Sequence, residues 1–211
     1  MSLPSITVVT PWFNHRELER DYWAAVRTED CEVIVIDNAS DPPLPNAFRL
    51  DWNSGFSYAS NLGLKMATTD AVLFANNDIV ALKPGWLEPI RQALEPGVLV
   101  GPVIRDDLHG RVDDMPMPYL DGWCLAGMRD DLLELGGFDE SYEEPSYFSD
   151  NDLSFRARLA GMTLRECRTH IAHLASRTSG GGENPVTRAV FDRNAVKFAE
   201  TVREALQPIG A

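Results

Sequence analysis

Residues 71–78, AVLFANND, constrain the fold of this chain more than any other stretch. The apolar run Ala71–Ala75 is short for a helix and suits a strand buried on both faces. It stops in Asn76-Asn77-Asp78, three polar side chains that a buried strand cannot carry without partners. In open parallel α/β sheets, ligands sit outside the carboxyl ends of the strands. A carboxylate at such an end is placed to hold a hard cation against a phosphate, because Mg2+ and its relatives prefer oxygen ligands. The competing reading is an ordinary turn, which Asn and Asp favour.

The flanking segments repeat this pattern. Residues 5–10, SITVVT, read as a first strand ended by Pro11, with a loop over residues 12–15. Residues 17–27 read as a helix, with Leu18, Tyr22 and Val26 on one face. Residues 31–36, CEVIVI, form a second strand that runs into Asp37-Asn38-Ala39-Ser40. A proline-rich loop and a short third strand at 48–52 follow. Gly55 permits a tight turn before a helix over 57–67. After Asp78, a helix opens at Pro84-Gly85 and runs to about Leu94, and residues 98–104 form another strand. Alternation of strand and helix predicts a parallel α/β sheet flanked by helices.

The second half reads differently. Residues 106–119 form a loop long enough to cover a site. Strands are expected at 123–128 and 163–167, and helices at 129–135, Ser149–Leu159 and Pro185–Leu206, the last amphipathic. No boundary between domains is visible, and 211 residues suit one domain.

The net charge is −13. Such a surface repels nucleic acid and anionic lipid, so a nucleic-acid partner is not expected. A phosphate ligand then needs a local cation, which a bound divalent metal supplies. Cys31, Cys124 and Cys167 are scattered and odd in number, so neither a zinc site nor a disulfide framework is indicated. No apolar run reaches the length of a transmembrane helix, and the residues after Met1 show no secretory signal. A cytoplasmic protein with reduced thiols is the expectation.

Several segments, in order, carry a family resemblance: VVTPWFN, VIVIDNAS, NSGFSYASNLG, LFANND followed by PGWL, DGWCLAG, LGGFDE, YFSDNDLSFRARLAG and HLASRTS. Together they resemble the family 2 glycosyltransferases, inverting enzymes of GT-A fold, and especially their rhamnosyltransferase-like branch. The resemblance implies a Rossmann-like, mostly parallel sheet in a single domain over residues 1–211. A nucleotide-sugar half would cover about 1–104, an acceptor and catalytic half about 105–184, and a C-terminal helix 185–211.

The resemblance also implies roles. Thr10, Pro11 and Asn14 fall in the first loop of the nucleotide pocket. Asp37 and Asn38 would meet base or ribose, and Asn53, Gly55 and Asn61 match the segment packed on the base. Asn76, Asn77 and Asp78 match the DXD motif, with Asn76 replacing its first aspartate. Asp78 would hold Mn2+ or Mg2+, and His173 would be a further ligand, with His170 its rival. Asp150 would be the general base, with Ser149 where an acid usually precedes it; a helix cap is the plain alternative for this SDND segment. Trp123, Asp152 and the turn at 136–140 would shape the acceptor side. The glycine-rich residues 177–183, RTSGGGE, are expected to order over the bound donor.

The function implied is metal-dependent, inverting transfer of a sugar from a nucleoside diphosphate, a UDP- or dTDP-sugar, to a hydroxyl of a glycan or other acceptor. The alternative is a catalytically weak nucleotide-sugar or carbohydrate binding protein, suggested by Asn76 and the short length. No GxGxxG follows a strand, which disfavours a dinucleotide dehydrogenase. A pyrophosphorylase needs a Gly-rich, basic loop after the first strand, and Pro11-Trp12-Phe13-Asn14 is unlike one.

Overall fold

The structure, a computed structural model, describes residues 2–174 and 185–207. Its first half runs β1 (Ile6–Trp12), α1 (Glu19–Val26), β2 (Glu32–Asp37), β3 (Phe48–Arg49), α2 (Gly55–Met66), β4 (Ala71–Ala75), β5 (Ile79–Ala81), α3 (Glu88–Ala93) and β6 (Val98–Gly101). Four short strands follow: β7 (Ile104–Arg105), β8 (Arg111–Val112), β9 (Met115–Pro116) and β10 (Tyr119–Leu120). The chain then forms β11 (Cys124–Met128), α4 (Arg129–Glu134), α5 (Ser149–Leu159), β12 (Thr163–Glu166), β13 (Ile171–His173) and α6 (Pro185–Leu206). Residues 177–183 lie outside the described residues.

Seven strands form the central sheet in the order β12-β6-β11-β4-β1-β2-β3. Only β11 runs against the rest, antiparallel to both β4 and β6. The mostly parallel α/β sheet read from the sequence is therefore present. Side chains alternate across it, as a strand requires. Ile6, Val8, Leu73 and Ala75 pack with Tyr22 and Val26 of α1 and Ile90 of α3. Val9, Val72 and Phe74 face Leu64 of α2, Leu132 of α4 and Leu153 of α5. Every residue of β4 is buried, which is what its unbroken apolar run foretold. Burying each large apolar side chain is worth roughly 1.5–3 kcal/mol.

Pro11 does not end the first strand. It lies inside β1, opposite Ile36. The pairing of β1 with β4 stops at Val9, so on that side nothing requires an N–H from Pro11. The expected strand at 98–104 breaks after Gly101, because Ile104 and Arg105 turn away to pair with Tyr119 and Leu120. The helix expected from residue 84 starts only at Glu88.

One ladder had no sequence signal. β5 pairs antiparallel with β13, setting Ile79 opposite His173. The N–H of Leu174 donates to the carbonyl of Asp78 at 3.0 Å. This brings the chain near residue 173 back to the end of β4.

α6 packs against α5 through Phe198 and Phe155, with Val202 fully buried. Asn194 accepts from the N–H of Glu143 at 3.0 Å and donates to its carbonyl at 2.8 Å. Arg193 grips the Glu143 carboxylate, Arg203 that of Asp113, and Lys197 that of Asp139. These half-exposed ion pairs contribute little; the buried aromatic contacts and Asn194 hold the helix. Among the described residues no helix is long and apolar enough to cross a membrane.

Candidate active site

A cavity of about 510 Å³ opens outside the carboxyl ends of β1, β2 and β4, where ligands bind in such sheets. Its volume suits a ligand of nucleotide-sugar size. On one side it is lined by Pro11, Asn38, Asn53 and Gly55, on another by Asn76, Asn77, Trp123 and His173, and on a third by Asp121, Ser149 and Asp150. Among the described residues, none that lines it is Lys or Arg.

Local geometry explains the first group. Asn38, buried at the end of β2, accepts from the Ser54 N–H at 2.6 Å and donates to the Gly55 carbonyl at 3.0 Å. It thus pins the start of α2 to the sheet. Gly55 has φ 83°, and a Cβ there would stand 2.0 Å from Glu144 Oε1. The positive φ is what calls for glycine here. Ser54 gives α2 no side-chain cap, and the Glu144 carboxylate lies at that helix start.

Asp78 ends the β4 turn only 1% exposed, and neither carboxylate oxygen accepts a hydrogen bond. Yet His173 Nε2 lies 2.9 Å from Oδ1, without the alignment of a hydrogen bond. Asn76 Nδ2 is 3.2 Å from the same nitrogen. With the amide as donor, Nε2 is an acceptor with no proton to offer Asp78. In that tautomer a ring nitrogen and a carboxylate oxygen, both possible metal donors, stand side by side at the end of β4. Among the described residues no cluster of three or more His, Cys, Asp or Glu is placed to bind a metal. The donor pair fits a divalent cation whose other ligands come from substrate or water. His170 is at the other end of the β5–β13 ladder, where its carbonyl accepts from Leu82 N–H.

Asp150 sits in the first turn of α5, where the helix dipole favours a carboxylate. No side chain caps this helix: Phe148, with φ 70°, takes the cap position. Asp150 Oδ2 accepts from the Gly122 N–H at 2.9 Å, and Oδ1 from the Asn151 N–H at 3.0 Å. Burial first, and the charge of Asp121 second, push its carboxyl up to about 6 against those bonds. Asp121 is itself held by Arg105, which donates to Oδ2 from Nε at 2.9 Å and Nη2 at 2.7 Å.

Asp78 is not itself among the lining residues, and five others singled out from the sequence also lie outside this cavity. Thr10 faces the core and accepts from the Tyr22 hydroxyl at 2.8 Å. Asn14 fastens two loops, accepting from Asp41 N–H at its side chain and from the Trp12 indole at its carbonyl. Asp37 is fully buried and accepts from Ser40, Leu44 and Arg49. Burial alone raises its pKa, but those bonds outweigh it and hold the carboxyl below its usual value. Asn61 clasps the 136–140 turn, exchanging bonds with the Phe138 N–H and carbonyl at 2.8 Å each. Asp152 points the other way on α5 and pairs with Arg156 at 2.7 Å. Asp152 and residues 136–139 line a separate cavity of about 320 Å³.

The structure also adds residues that the sequence reading passed over. Asp121 is one. His109, Tyr147, Phe148 and Phe191 line the cavity as well. His109 and the DGW segment containing Asp121 were visible as types, but nothing local showed that they converge.

The sequence matches the glycosyl transferase family 2 profile over residues 7–116, more than half of the chain. It is 29% identical to the O-antigen biosynthesis protein RfbC of Myxococcus xanthus across 76% of this chain, which corresponds to only 16% of that protein's length. An uncharacterized protein of Mycobacterium bovis is 25% identical across 84% of this chain and 77% of its own. Among solved structures, a mannosyltransferase from Pyrobaculum calidifontis in complex with GDP-Man and Mn2+ superposes with a TM-score of 0.62 at 17% identity. The superposition covers 100% of this chain and 77% of that one, a likeness of fold. The fold is that of a GT-A glycosyltransferase, and the chain belongs to glycosyl transferase family 2.

Proposed function

We propose that the protein transfers a sugar from a nucleoside diphosphate to an acceptor hydroxyl with inversion, using Asp150 as general base. The observation that carries this reading is the Asp150 carboxylate. It lines the cavity, is fixed by two backbone N–H groups, and has its pKa pushed up to about 6. A base is most effective when its pKa lies near the working pH. Asp150 takes the proton of the acceptor hydroxyl as that oxygen attacks the anomeric carbon. The bond from that carbon to the diphosphate breaks on the opposite face, so configuration inverts.

Asp78 and His173 are the residues that would hold Mn2+ or Mg2+. Bound there, the metal would neutralise charge on the departing diphosphate, which no Lys or Arg among the described lining residues does. Asn38, Asn53 and Gly55 form the wall for the nucleotide. We read residues 1–104 as the donor half of one domain and residues 105–184 as the acceptor half, with the last helix closing the site.

The reading is tested in two steps. A thermal-shift panel of UDP-, dTDP- and GDP-sugars with Mn2+ identifies the donor, because a ligand that binds the native state raises the melting temperature. Transfer is then compared in the wild type and Asp150→Asn. We expect the variant to bind donor normally and to lose at least about a hundredfold in transfer rate, the low end for a missing general base. A variant that transfers at the wild-type rate would falsify the assignment. Binding of a donor without turnover by the wild type on any acceptor would favour a binding protein instead.

A further inference from the structure

One wall of the cavity is aromatic and comes from three distant segments. Phe191 of α6 has its ring centroid 5.1 Å from His109, 5.4 Å from Tyr147 and 4.9 Å from Phe148. All four rings line the cavity that contains Asp150. The group is tied to the catalytic helix itself, since Asn151 Nδ2 donates to the His109 carbonyl at 3.1 Å. Phe148 and Phe198 stack beneath, so the wall is backed by the α5–α6 core. Tyr147 and Phe191 stay half-buried and His109 is exposed. Aromatic surface left open inside a catalytic cavity costs solvation unless a ligand covers it.

The charges around that wall select its ligand. Among the described residues the acidic groups lining the cavity are Asp121, Glu144 and Asp150; Arg105 offsets Asp121 from outside the lining, and no described Lys or Arg lines the cavity to offset the other two. Arg188, whose guanidinium carbon lies 5.4 Å from the Phe191 ring centroid, is paired with Asp192 at 3.1 Å. A phosphate-bearing acceptor would meet the like charges of Glu144 and Asp150 there. A pyranose ring instead has an apolar face of C–H groups that covers an aromatic ring, and an edge of hydroxyls that carboxylates and amides can bond.

On the glycosyltransferase reading above, we propose that Phe191, Tyr147 and His109 form an acceptor subsite that seats the face of a neutral pyranose ring, so that the acceptor is an uncharged saccharide and not a polyprenyl phosphate. The subsite then sets the ring flat while one hydroxyl reaches Asp150. It makes α6 part of acceptor recognition although α6 carries none of the chemistry.

The test uses the full chain, saturation-transfer NMR and a panel of methyl glycosides of neutral hexoses and 6-deoxyhexoses, with polyprenyl phosphate as the competing probe. Affinity is measured in the wild type, Phe191→Leu and Tyr147→Leu, which keep apolar bulk and lose the ring. Mn2+-dependent binding of UDP and GDP is measured in parallel. We expect saturation of ring C–H protons in at least one glycoside. Its affinity should fall at least about threefold in each variant, within the usual worth of an aromatic contact. Nucleotide binding should be unchanged. Preferential binding of polyprenyl phosphate, no glycoside binding, or glycoside affinity unchanged from the wild type in both variants would overturn the proposal while nucleotide binding persists. Loss of Mn2+-dependent nucleotide binding in the wild type would count against the glycosyltransferase reading on which it rests.

Discussion

The imidazole of His173 lies parallel to the indole of Trp123, with ring centroids 5.1 Å apart and planes 4° apart. The stack fixes the ring on one side while the β5–β13 ladder fixes its backbone. Nε2 is thereby held 2.9 Å from Asp78 Oδ1. On the proposed reading, Trp123 would act by positioning His173 and would not itself touch a cation.

Removing that support should loosen the metal. Trp123→Leu keeps apolar volume and loses the stack, and supporting residues of this kind typically cost 10–100-fold in metal affinity. We expect Mn2+-dependent nucleoside diphosphate affinity to fall about tenfold in calorimetry, within that range. Metal-free affinity should stay the same. Asp78→Ala should show the same dependence on metal with a larger loss. Equal losses with and without Mn2+ would mean that neither residue acts through a cation.

The Asp121–Asp150 pair predicts a pH dependence. Asp150 must be ionised to act as a base, so its raised pKa puts the acid limb of kcat/KM near 6. Asp121→Asn removes a negative charge that raises that pKa, and the limb should move to lower pH. Stability follows the same linkage. The unfolded carboxyl ionises at its ordinary pKa and the folded one only near 6, so the wild type loses stability as pH rises from about 4 to about 6. Asp150→Asn lacks that loss. Chemical denaturation of both proteins across this window measures the difference.

Asn61 supplies a prediction of another kind. Its amide joins α2 to Phe138 and Glu140, and a Cβ on Gly137 would stand 2.1 Å from Asn61 Oδ1. Asn61→Ala leaves the buried Phe138 N–H unpaired, a cost of about 1–3 kcal/mol. We expect a lower denaturation midpoint with donor affinity unchanged. A variant of normal stability that fails to bind nucleotide would return Asn61 to the binding wall.

What the sequence made legible depended on how local the signal was. Ala71–Ala75, Ser149–Leu159 and Pro185–Leu206 have the bounds read from their apolar runs and helical spacing. Such patterns need no distant partner to be recognised. The β5–β13 ladder needs two three-residue strands far apart in sequence, Ile79–Ala81 and Ile171–His173, to meet, and neither carries a pattern of its own. The polar residues divided similarly. Asp78 and Asp37 both follow buried strands, yet Asp37 has its oxygens filled by Arg49 and two loop N–H groups while those of Asp78 are bare. Asp37 is the last residue of β2 and Asp78 lies in the turn after β4, yet both read alike as an aspartate at the carboxyl end of an apolar run. Asp150 and Asp152 are likewise neighbours on one helix turn that face different cavities.

Asn76 gives the sharpest test of the metal corner, because here the chain departs from the motif it resembles. Its amide stands 3.2 Å from His173 Nε2, beside the bare carboxylate of Asp78. Hard divalent cations bind a carboxylate better than an amide, through charge as well as oxygen. Asn76→Asp keeps the size of the side chain and adds one negative charge. If a cation occupies this corner, the variant should bind Mn2+ more tightly than the wild type, and its nucleotide affinity should depend more steeply on metal concentration. In the absence of metal the same substitution places two carboxylates together and should lower thermal stability. Added Mn2+ should restore it. The two effects have opposite signs, so a melting curve with and without Mn2+ separates them in one experiment. A variant destabilised equally in both conditions would show that Asp78, His173 and Asn76 form an ordinary polar contact with no place for a cation.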